Sequence, residues 1–82
     1  MKIFVFAEAY TPTEEYAEIM QTKVFTEKED ATEYLYQTSK EYLNHPEDGD
    51  HWKITYEDSM CFHAIYDGNK DEVVMTISEH EI

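Results

Sequence analysis

Apolar residues in "KIFVFAEAY", residues 2–10, fall on both sides of an extended chain. Ile3, Val5 and Ala7 take one side, Phe4 and Phe6 the other. A strand apolar on both faces belongs well inside a sheet. Pro12 and the threonines of "TPTEE" then break it, in a turn or in one helical turn with Pro12 at its first position. "AEIMQTKVF", 17–25, resumes as a second strand. After it the period changes. Ala31, Tyr34, Leu35, Thr38 and Tyr42 recur at i, i+3, i+4, i+7 and i+11, a stripe about 100° wide on a helix. Glu33, Tyr36, Gln37, Lys40 and Glu41 face away from it. One amphipathic helix over roughly 27–44 is predicted. Thr26 followed by Glu29 has the spacing of a capping box, and Glu27, Glu29 and Asp30 suit the positive end of the helix dipole. Asn44 is placed to cap the other end, and Pro46 stops the helix.

Three alternating segments follow. "HWKITYE" puts Trp52, Ile54 and Tyr56 on one side, "MCFHAIY" does so with Met60, Phe62, Ala64 and Tyr66, and "DEVVMTI" with Val73, Met75 and Ile77. "DGNK", 67–70, reads as a hairpin turn in which Gly68 and Asn69 can take positive φ. Pairing Asp67 with Lys70 sets Ala64 against Val73, Phe62 against Met75 and Met60 against Ile77. A three-residue turn at 58–60 sets Phe62 against Tyr56 and Ala64 against Ile54. Both registers gather the large apolar residues on one face, which a one-residue slip would reverse. The expectation is an α+β fold of order β-β-α-β-β-β, a mostly antiparallel sheet with one helix on its apolar face.

Length confines this to a single domain, 1–82, with a thin core. Seven tyrosines, four phenylalanines and a tryptophan enlarge the area such a core buries and argue against disorder. The lone Cys61 forms no internal disulfide and fits a reducing compartment. The first ten residues lack the long apolar run of a signal peptide, and no stretch nears the roughly 18 apolar residues of a membrane span. A soluble, cytoplasmic protein is expected.

Charge changes the picture most. Nineteen acids face six basic residues, all lysine, for a net charge of −13. Phosphate recognition draws on cations, arginine above all, so direct binding to nucleic acid or to an anionic membrane is not expected. A basic partner is the natural complement, although acidity also serves solubility alone.

Candidate chemistry is sparse. Cys61 and His63 are two apart on one strand, so their side chains share a face, and thiolate with imidazole is a zinc donor pair. Further ligands would come from Glu57 or Asp58, from His45, His51 or His80, or from a second copy. The competing reading makes Cys61 a small buried hydrophobe and His63 an ordinary sheet residue. "HPEDGDHW", 45–52, faintly resembles a calcium loop through Asp48-Gly49-Asp50, but lacks the flanking helices and the closing glutamate. A helix stop and turn, whose acids join a binding face, covers it better. No nucleophile elbow, phosphate loop or glycine-rich cradle is present, and nothing electropositive would activate Cys61. A non-enzymatic protein is expected.

What remains is the distribution of acids. Glu14, Glu15 and Glu18 follow the first strand, Glu27, Glu29, Asp30 and Glu33 line the helix start, and Glu47, Asp48 and Asp50 lie beyond its end. Carboxylates spaced on a rigid domain can imitate duplex phosphates; for each cluster alone, a solvated face is the simpler reading. In size, charge, missing catalytic motifs and hairpin-helix-meander layout, the whole chain resembles small phage-encoded inhibitors of bacterial defence, the anti-CRISPR proteins against Cas9 and the antirestriction DNA mimics. Those inhibitors share no single fold, so the resemblance implies a role: binding a basic nuclease or effector such as Cas9 in the host cytoplasm and blocking DNA loading. Other readings are a zinc domain on Cys61 and His63, and a partner-binding module unrelated to defence.

Overall fold

The computed structural model describes residues 1–13 and 15–82. Its elements are β1 (Lys2–Thr11), β2 (Glu18–Phe25), α1 (Lys28–Leu43), a 3-10 turn (Gly49–His51), β3 (Trp52–Asp58), β4 (Cys61–Tyr66) and β5 (Glu72–Glu81). The five strands form one antiparallel sheet in the order β2-β1-β5-β4-β3. This is the α+β arrangement that the change of period predicts, with β1 inside the sheet. Among the described residues no helix is long and apolar enough to cross a membrane.

The core lies between α1 and one face of the sheet. Phe4 and Phe6 of β1, Phe62 and Ala64 of β4, and Val73, Met75 and Ile77 of β5 are buried against Ala31 and Leu35. The β4–β5 register is the expected one: Ala64 opposes Val73 and Phe62 opposes Met75. One helix covers only one face. On the other, Val5, Ala7, Val74, Cys61 and His63 are half-buried and Val24 is exposed.

Three local expectations are corrected. The helix begins one residue later than a Thr26 cap requires. Glu27, extended at φ −116°, is the N-cap and makes no side-chain capping bond, because the chain leaving β2 stays extended through it and holds Thr26 one position too far out. Glu29 and Asp30 still occupy the first turn. In the 67–70 turn the positive φ belongs to Lys70, at 68°, and to no glycine. The hairpin closes one pair earlier, with Tyr66 N–H donating to the Asp71 carbonyl at 2.8 Å, and this preserves the register. The third correction is on β3. Asp58 Oδ1 accepts the Met60 N–H at 2.8 Å, an Asx turn that tightens the connection. Asp58 therefore pairs with Cys61, Glu57 with Phe62 and Tyr56 with His63, and a bulge at Thr55 restores Ile54 opposite Ala64. A bulge exchanges faces, so Tyr56 leaves the core face and is 54% exposed.

Gly49 is fixed by close approach. A Cβ there would stand 2.3 Å from the Leu43 carbonyl oxygen. Gly49→Ala should lower stability by about 1–3 kcal/mol in chemical denaturation, the cost of overpacking against backbone.

Candidate functional site

Strand register places three connections at one end of the sheet: the segment after β1, the 44–51 turn and the 67–71 hairpin. Thr13 N–H donates to Asp71 Oδ1 at 2.8 Å and its hydroxyl to the Asn69 carbonyl. Asp67 N–H donates to the His51 carbonyl at 2.7 Å, and Tyr66 OH to Asp48 Oδ1 at 3.0 Å. Glu15, Glu18, Glu47, Asp48 and Asp50 therefore share this end; Glu14 lies outside the described residues. Glu27, Glu29, Asp30 and Glu33 sit at the opposite end of α1. Its 16 residues separate the two groups by about 24 Å at 1.5 Å per residue.

Almost none of these acids meets a cation. Among the described residues the ammonium–carboxylate pairs are the N-terminus with Glu81 and Lys2 with Glu79; His45 and His63 lie 3.6 and 3.4 Å from the Asp48 and Glu72 carboxylates. Lys23 and Lys40 instead lie over the Tyr34 and Tyr36 rings, 4.4 and 5.1 Å from the centroids. His45 is held as a turn acceptor: Glu47 and Asp48 N–H donate to its Nδ1 at 3.3 and 3.2 Å. The 45–52 stretch is a helix stop and turn, closed by the 3-10 turn.

Beside this acidic end lies a cavity of about 340 Å³, lined by Glu8, Tyr10, Glu41, Tyr42, His45, Asp48 and Trp52. Trp52 is central to its aromatic lining, with the Tyr10 and Tyr42 rings edge-on to it at 6.2 and 5.3 Å. Glu8 is 5% exposed. Gln21 Nε2 donates to its Oε1 at 2.7 Å, Tyr42 OH donates to its Oε2, and Tyr34 OH donates to Gln21 Oε1 at 2.7 Å. Burial and then the Glu8 bond push the Tyr42 hydroxyl well above the ordinary tyrosine range.

Burial, followed by the hydrogen bond to Asp71, pushes Tyr10 up to about 12. The same bond, with the Thr13 N–H, holds Asp71 below the usual carboxylate range. The signs differ. Tyr10 contributes stability present below its unfolded value of 10.0 and lost as pH rises through about 12. Asp71 contributes stability present above 3.8 and lost as pH falls through its depressed value. Tyr10→Phe should therefore melt lower than the parent at neutral pH and lose less on passing from pH 9 to pH 12. An unchanged alkaline slope in thermal melts would contradict that assignment.

Glu8, Tyr10, Tyr42 and Trp52 do not emerge as a site from the sequence. The available signal was Glu8 itself, a carboxylate in the alternating row Phe4, Phe6, Glu8, Tyr10 that faces the helix. The zinc candidates share the open face, as predicted. His63 Nε2 lies 3.4 Å from Glu72 Oε2, and burial raises the Cys61 thiol, away from thiolate. Among the described residues no three His, Cys, Asp or Glu side chains converge as a ligand set. A zinc site on Cys61 and His63 would need donors from a second copy; equal metal content in the parent and in Cys61→Ser would sink it.

No protein-family model, no characterised protein and no solved structure matches the chain. Geometry and charge alone carry the functional reading.

Proposed function

We propose that this chain is a non-enzymatic acidic inhibitor that occupies the basic nucleic-acid channel of an effector such as Cas9 and blocks DNA loading. The observation that carries this reading is the gathering of Glu15, Glu18, Glu47 and Asp50 on one braced end of the sheet, with none of their carboxylates ion-paired among the described residues; the Lys53 ammonium donates to the Asp50 backbone carbonyl at 3.3 Å. Unpaired carboxylates on a rigid frame keep their full attraction for lysine and arginine. Hydrogen bonds from Thr13 and Tyr66 tie the three connections together, so little ordering is left to oppose association.

A second reading draws on the uncovered face of the sheet, where Val24 is exposed and Val5 and Val74 half-exposed: a partner-binding module with an apolar interface and no tie to nucleic acid. Salt separates the two. Affinity for guide-loaded, DNA-free Cas9 should fall steeply with rising NaCl, because exposed charge is screened within about 10 Å at 0.1 M. Salt-insensitive binding would overturn the electrostatic reading in favour of the apolar face.

A further inference from the structure

The cavity beside the acidic end has a composition that solubility does not call for. Its lining combines three aromatic rings with Glu41, His45 and Asp48, and its most buried residue is Glu8. Glu8 is 5% exposed, and its carboxylate has no lysine, histidine or terminal amine within ion-pairing distance among the described residues. A buried charge is costly unless a counter-charge accompanies it. Gln21 and Tyr42 supply hydrogen bonds but no charge. The Trp52, Tyr10 and Tyr42 side chains line the same cavity, and aromatic rings attract cations. At the exposed side Glu41 and Asp48 add negative potential.

We propose that this cavity receives an organic cation, the ammonium or guanidinium head of a lysine or arginine side chain projected by a partner. The source of the cation rests on the function proposed above; the chemistry of the cavity does not. Aromatic rings would flank the head and its alkyl stem while Glu8 supplies the counter-charge. A volume near 340 Å³ accommodates one such side chain. The acidic end would then attract a basic surface at long range, and the cavity would fix its register by anchoring one side chain.

Trp52 is the only tryptophan in the chain and lines the cavity, so its fluorescence reports occupancy. The probes are N-acetyl-lysine methylamide and N-acetyl-arginine methylamide, with neutral N-acetyl-norleucine methylamide as control, NaCl holding ionic strength constant. The cationic probes should shift Trp52 emission and saturate at millimolar concentration, about 1–10 mM, and norleucine should not. Glu8→Gln should weaken that binding roughly tenfold. Its Gln21 neighbour can flip its amide and keep the Tyr34–Gln21–Gln–Tyr42 chain of hydrogen bonds, and thermal melting checks that the variant is folded. Equal response to norleucine, no saturable response to either cation, or a Glu8→Gln protein binding as well as the parent would each overturn the assignment. A silent Trp52 alongside salt-sensitive nuclease binding removes the cavity and leaves the inhibitor standing. Saturable cation binding with no affinity for the nuclease does the reverse.

Discussion

Phe62→Ala should leave the domain largely unfolded or barely stable at ambient temperature. Phe62 is fully buried at the centre of the core, between Met75 on β5 and the β3 edge, beneath α1. Removing a buried phenyl ring costs about 3–5 kcal/mol. A domain of this length holds only about 4–12 kcal/mol in total, at 0.05–0.15 per residue. The informative comparison is Tyr56→Ala. Without the bulge at Thr55, Tyr56 would oppose Phe62 on the core face, and its loss would remove core contacts, although on this edge strand even Ile54, opposite Ala64, is 45% exposed. With the bulge it faces outward beside His63, and truncation should cost within about 1 kcal/mol, as at other exposed positions. Urea denaturation of both variants measures the difference. Equal losses would contradict the β3 register.

The second large effect concerns binding. Reversing Glu15, Glu18, Glu47 and Asp50 together to lysine should weaken association with a basic channel about a hundredfold or more, since like charges brought together cost several kcal/mol. The variant should melt no lower than the parent, because it relieves repulsion within a chain of net charge −13. Binding loss with retained stability separates a contact surface from a folding defect. Reversals of Glu27, Glu29, Asp30 and Glu33 are less clean, for lysines in the first turn of α1 also oppose its dipole. Titration calorimetry of each set against the nuclease would show which end makes contact.

Much of the frame was legible because it rests on periodicity. The change from period two to 3.6 marked α1, and the alternation in "MCFHAIY" and "DEVVMTI" determined the β4–β5 register even though the turn closes differently. The rest depends on events that pattern does not encode. The Asp58 turn shifts β3 by one residue and the Thr55 bulge shifts it back, so Tyr56 changes faces while keeping its place in the alternation. Thr26 has the right spacing for a cap but stays on extended chain. Sequence order already set the helix-start acids and Glu47, Asp48 and Asp50 at opposite ends of α1; that Glu15 and Glu18 join the second group could not be read, because it requires the pairing of the strands. The cavity joins residues 8, 10, 42 and 52, which only the pairing of β1 with β5 and the path of α1 bring together. His45 follows the C-terminal end of α1, where the dipole favours a cation, yet its Nδ1 accepts backbone N–H groups.

The central claim is that acids on this fold compete with DNA for a basic channel. Its most direct test is DNA cleavage by guide-loaded Cas9, with the protein added either before or after the target DNA. The account predicts inhibition when the protein is added first and little when DNA is already loaded. Equal inhibition in both orders, or none in either at low salt, would contradict it.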